Sequence, residues 1–85
     1  MDRKFKVDFE FLTKPTIVQS HYNAITFING STISTDIVYV NNIPLSIGQS
    51  LSIEGNSDEV DTTVYNVAMG TSTTATCIVI KKQNL

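Results

Sequence analysis

From Pro15 to Ile80 the chain contains no lysine or arginine. All six basic residues lie near the ends: Arg3, Lys4, Lys6, Lys14, Lys81 and Lys82. With a net charge of −2 there is no internal basic stripe to neutralise phosphates, so nucleic-acid binding is not expected. Cysteine is reduced to Cys77, which rules out an internal disulfide. No Cys/His pair has ligand spacing, so a structural zinc site is not expected. The apolar runs fall far short of the ~20 residues of a membrane span. The charged start Met1–Asp8 has no apolar core segment, so no signal peptide is expected, and the protein is expected to be made in a cytoplasm and to stay soluble. Asn29-Gly30-Ser31 therefore reads as a turn and not a glycan site. The four glycines are isolated turn residues, so no phosphate-cradling loop exists. Leucine and alanine are scarce, and no window has sustained helical spacing.

What is present is β-structure. Ile, Val and Thr make up about a third of the 85 residues, the class that suits pleated surfaces. From Arg3 to Thr13 the chain alternates, with Phe5, Val7, Phe9 and Phe11 on one face and Lys4, Lys6, Asp8 and Glu10 on the other. The apolar side of this strand is expected in the core, and Lys14-Pro15 ends it. Apolar positions at Ile43, Leu45 and Ile47, then Leu51 and Ile53, broken by Gly48-Gln49, read as a β-hairpin with one buried face. Pro44 restricts its first strand to an edge or bulge. Ile37–Val40 reads as a strand buried on both faces, and Thr63, Tyr65, Val67 and Met69 share one face of a later strand. Tyr39, Ile53, Tyr65 and Ile78 are expected to line the core. Turn signals every 8–12 residues predict an all-β fold: a single antiparallel β-sandwich or small barrel of about seven short strands over 1–85. A domain this small, without staples, often draws stability from oligomerisation or a partner.

Candidate chemistry is thin. His21 and Cys77 would form a nucleophilic pair only in contact and with an orienting third group, and nothing in their spacing provides that. Glu54, Asp58, Glu59 and Asp61, with Asn56, are oxygen donors on a turn, but they lack EF-hand spacing. Asp58 and Asp61 are better read as caps on the turn backbone. No catalytic, cofactor-binding or metal-binding residue is assigned. A carbohydrate- or host-binding module would need an exposed aromatic platform, for which Tyr22, Tyr39 and Tyr65 are the candidates. The basic ends admit two readings: edge strands kept soluble by lysine, or patches complementary to the acidic turn and used in assembly.

The stretch Val40-Asn41-Asn42-Ile43-Pro44-Leu45, Gly48-Gln49-Ser50, Ser52-Ile53, Gly55-Asn56, Glu59, Asp61, Thr63, Tyr65 resembles small β-rich virion proteins of tailed phages. It is most similar to the auxiliary (decoration) capsid proteins and related tail components of crAss-like phages of Bacteroides-type hosts. The resemblance covers about a third of the chain. It implies a non-enzymatic structural protein of the virion, without cofactor, that binds the major capsid protein, other virion proteins or copies of itself. No membrane partner is expected, from the shortness of the apolar runs. A tail or fibre component is the alternative placement. On the assembly reading of the charge distribution, the partner-binding residues are Arg3, Lys4, Lys6, Lys81 and Lys82, with 1–14 and 81–85 acting as arms.

Overall fold

A computed structural model describes residues 4–56 and 58–85. The described residues hold eight strands and no helix: β1 (Phe5–Leu12), β2 (Thr16–Gln19), β3 (Ala24–Asn29), β4 (Val38–Val40), β5 (Ile43–Leu45), β6 (Ser50–Glu54), β7 (Val64–Ala68) and β8 (Cys77–Asn84). They form two four-stranded sheets, in the order β1-β8-β3-β6 and β2-β7-β4-β5, with every pair antiparallel. This is the small all-β sandwich expected from the turn spacing and the β-branched composition.

The chain changes sheet at almost every connection. The exception is the β4–β5 hairpin, turned by Asn41 and Asn42 at φ 48° and 68°. Positive φ at both central residues of a two-residue loop is the geometry of a type I′ turn, and asparagine tolerates it better than most residues. The hairpin expected across Gly48-Gln49 does not form. Ile43–Leu45 pairs with β4 in the second sheet, whereas Ser50–Glu54 pairs with β3 in the first. Gly48, at φ 84°, lies in a crossing between sheets, closed by the Gln49 N–H on the Ser46 carbonyl at 2.9 Å. Alternation on both sides of a turn is common to a hairpin and a sheet crossing, which is why the two look alike in sequence.

The core lies between the sheets. Ile25, Phe27, Cys77 and Val79 of the first sheet face Val18, Val38, Val40, Leu45, Tyr65 and Val67 of the second. The Phe27 and Tyr65 rings are tilted, with centroids 5.0 Å apart. Of the four residues expected to line this core, only Tyr65 does so fully. Tyr39 is half-buried between inward Val38 and Val40, so β4 buries one face and not two. Ile78 sits between inward Cys77 and Val79 and therefore points out, and Ile53 is 37 % exposed on edge strand β6. Pro44 lies on an edge strand, as its missing N–H requires.

The largest correction concerns β1. Phe5, Phe9 and Phe11 are 58, 65 and 71 % exposed, and Val7 is half-buried. These four side chains share a face, but it is the outer one. Only Leu12 of β1 packs against the core. Removing β1 would therefore not open a large part of the interior.

Candidate functional site

The outer face of the first sheet is built by register. Phe9 stands opposite Ile80 and Phe11 opposite Ile78 across β1·β8, and Ile78 stands opposite Ile28 across β8·β3. Phe5, Val7, Phe9, Phe11, Ile78 and Ile80 thus form a continuous apolar surface. Gly30 extends it: a Cβ there would fall 2.7 Å from Ile78 Cδ1, so only glycine leaves that isoleucine its present place. Toward β6 the same face turns polar, with Thr26 and Ser52 hydroxyls 3.0 Å apart. At its other end Lys82 Nζ lies 5.0 Å from the Phe5 ring centroid.

The charged face of β1 turns inward, and the structure supplies it with partners. Glu10 pairs with Lys81 at 3.5 Å, and Lys81 is largely covered. Asp8 accepts a hydrogen bond from the Tyr22 hydroxyl, which raises the Tyr22 phenol above its ordinary value. The ammonium groups of Lys6 and Lys81 lie 5.8 and 5.6 Å from the Tyr22 ring centroid, within cation–π range. Tyr22 reaches this position just after His21 breaks the strand path at φ 48°, and it bridges antiparallel to Asp61.

The pairing of β1 with β8 brings the two basic ends together. Lys6 stands opposite Gln83, Val7 opposite Lys82 and Asp8 opposite Lys81. Residues 5–12 and 77–84 are thus ladder partners, with β1 at the sheet edge and β8 next to it. Their lysines then separate by role. Lys81 is committed to Glu10 and Tyr22, Lys6 lies beside Tyr22, Lys82 overlooks the phenylalanine face, and Lys4 is exposed. Arg3 lies outside the described residues.

The other titratable side chains mostly tie loops together. Buried Asp36 accepts from the Ser72 hydroxyl at 2.7 Å and the Thr74 hydroxyl at 2.6 Å. Asn29, also buried, donates to the carbonyls of Asp36 and Leu45. In the acidic turn, Glu59 accepts from the Asn56 N–H, and Asp61 from the Thr63 N–H and the Tyr65 hydroxyl. Burial opposes ionisation of Asp61, but the donors on Thr63 and Tyr65 outweigh it and hold its carboxyl below the usual value. Burial, together with donation to Asp61, pushes the Tyr65 phenol up to about 12. Asp61 caps the backbone two residues on, as expected; Glu59 caps Asn56 in a way the sequence did not suggest.

Among the described residues no three His, Cys, Asp or Glu side chains gather at metal-binding distance. Cys77 is fully buried, and burial pushes its thiol up to about 11, while His21 is exposed. The two do not form a reactive pair. Of the tyrosines, Tyr65 is buried and Tyr22 and Tyr39 are half-buried, so the exposed aromatic surface belongs to phenylalanines instead. Their shared face was legible from period two, but its direction was not. No protein-family model, curated protein or solved structure matches the chain.

Proposed function

We propose that this chain is a non-enzymatic structural subunit that docks onto other proteins through the outer face of its first sheet. The observation that carries this reading is the outward row Phe5, Phe9 and Phe11 beside Ile78 and Ile80. Contiguous exposed apolar surface on a small domain marks an interaction site, because leaving it in water forgoes hydrophobic free energy that contact would recover. Lys82 gives the patch a charged rim, the usual arrangement around an apolar contact. The hydrogen-bonded acidic side chains and the high-pKa, buried Cys77 thiol favour a structural role over a catalytic one.

The resemblance of Val40–Tyr65 to auxiliary capsid proteins of tailed phages supplies the setting. On this reading the subunit sits on the major capsid protein of a virion, with the phenylalanine face against it and the lysine-bearing ends at the margin. A carbohydrate-binding reading has an aromatic platform available, but the residues next to it are Ile78, Ile80 and Ile28, and the Thr26 and Ser52 hydroxyls beyond them bond to each other. Sugar rings need hydrogen-bonding groups there, which favours a protein partner.

The test pairs location with the face. Mass spectrometry of purified particles should find the chain, and a labelled copy should decorate the capsid shell. A Phe9→Ser/Phe11→Ser variant should stay folded and fail to bind. Label on the tail alone would move the subunit to the tail. Full binding by the variant, or absence from the particles, would overturn the reading.

A further inference from the structure

We propose that the chain forms a two-fold dimer in which β1 pairs antiparallel with β1 of a second copy, with Val7 opposite itself. This pairing rests on the free edge of β1 and does not depend on the capsid reading.

Among the described residues β1 has one strand partner, β8, and so forms an edge of the first sheet. Edge strands are ordinarily blunted by shortness, proline, bulges or charge, and of these β1 carries only charge, in a pattern complementary to itself. The second-sheet edges β2 and β5 have four and three residues, and β5 contains Pro44. By contrast β1 runs for eight residues in unbroken register, without proline. Its open side is defined by the bonding to β8. The Leu85 N–H donates to the Lys4 carbonyl at 2.9 Å, so Lys4 and alternate residues after it bond toward β8. Phe5, Val7, Phe9 and Phe11 therefore aim their N–H and C=O groups away from the sheet. Such a row is a template for strand addition.

Charge selects the register. Along the inner face run Lys4, Lys6, Asp8 and Glu10, two positive charges followed by two negative. Read antiparallel about Val7, Lys4 meets Glu10 of the second copy and Lys6 meets its Asp8, on both sides of the axis. Val7 then exchanges both backbone bonds with its counterpart, and Phe5 pairs with Phe9 of the second copy on the outer face. Sliding the second copy by two residues, the smallest step that keeps the ladder, sets Asp8 against Asp8 one way and Lys6 against Lys6 the other. Like charges directly opposite are destabilising, so a single register satisfies all four. Backbone bonds and phenylalanine contact supply the attraction, and the charges supply its specificity.

Sedimentation equilibrium of the full chain, up to about 1 mM, should show a monomer–dimer equilibrium. Lys4→Glu/Lys6→Glu makes the inner face wholly acidic and should weaken self-association at least about tenfold. Asp8→Lys/Glu10→Lys should do the same, and an equimolar mixture of the two variants should recover a heterodimer. The second variant loses the Tyr22 and Lys81 contacts, so cysteine cross-linking gives an independent reading. Hydrogen-bonded antiparallel partners have Cα atoms about 5.5 Å apart, within disulfide range. On oxidation Val7→Cys should link to itself, whereas Phe5→Cys and Phe9→Cys should link only when mixed. A wild-type chain that stays monomeric, undiminished dimerisation of Lys4→Glu/Lys6→Glu, or self-linking of Phe9→Cys would overturn the proposal.

Discussion

Strands β1 and β7 alternate in the same way, but only β7 buries a side; β1 leaves its phenylalanines to solvent and keeps its charged side half-covered at most. In β7, Tyr65 and Val67 enter the core, and Val64 and Asn66 face out. In β1 the phenylalanines face out and the charged residues face in. Position in the sheet separates them. Strand β7 lies between β2 and β4, with its inner positions against Phe27 and the rest of the core. Strand β1 lies at the margin of a sheet whose strands outreach those of the second: eight residues in β1 and β8 against three to five in β2, β4, β5 and β7. What meets its inner face is Lys81 and Tyr22, which are partners for carboxylates and ammonium groups. Period two fixes which residues share a side; the neighbours decide whether either side is dry.

The strongest test of that contrast is Phe27→Ala. Phe27 is fully buried on β3 against Tyr65 of β7, so truncation should cost about 3–5 kcal/mol in urea unfolding. A loss under about 1 kcal/mol would mean that the β7 side is not the packed interior.

Asp36→Ala comes next. This buried carboxylate gathers the Ser72 and Thr74 hydroxyls, tying the loop before β4 to the one before β8. Losing two hydrogen bonds to a charged acceptor should cost about 2–3 kcal/mol, while Asp36→Asn, which keeps one oxygen, should cost less. Equal losses in the two variants would show that the carboxylate has no special role there.

Much of the fold is written locally. The clean alternation of Thr63, Tyr65, Val67 and Met69 is preserved in β7 and just beyond it, and Pro44 and Lys14-Pro15 fall where a missing N–H is harmless. The turn at Asn41-Asn42 was also legible, from two asparagines between Val40 and Ile43, but the Gly48-Gln49 break drew the hairpin to the wrong place. Strand pairing is the part that is not local. Nothing in residues 5–12 announces that Lys81 and Tyr22 will lie beside their charged face, so the candidate face could be identified as a set but not oriented. The basic ends were seen as a group, and only the β1·β8 register shows that Lys81 is turned inward and Lys82 outward.

Tyr65→Phe probes β7 with a smaller effect, about 1 kcal/mol near neutrality, through its bond to Asp61. The pH dependence gives the sign. Asp61 ionises more readily in the fold than its ordinary 3.8, so its contribution is present above that value and fades as pH falls through the lower folded one. The gap between wild type and variant should narrow there. At the alkaline end the Tyr65 phenol is raised from 10.0 to about 12, so the wild type should lose stability as pH climbs through that window. The variant should lack that loss, and identical alkaline limbs would contradict the bond.

The smallest expected effect makes the sharpest contrast. Phe9→Ser replaces a large aromatic side chain with a hydroxyl, a change that costs several kcal/mol in a core. On β1 that side chain is 65 % exposed and makes no core contact, so the stability of the isolated subunit should change by no more than about 0.5 kcal/mol. Solubility should rise, because the variant removes part of an exposed apolar row. Urea unfolding at low protein concentration reads the intrinsic term, since any self-association would add a concentration-dependent contribution to the wild type. A loss of 3 kcal/mol or more at high dilution, comparable with Phe27→Ala, would place the phenylalanine side of β1 inside the molecule and end the distinction between the two strands.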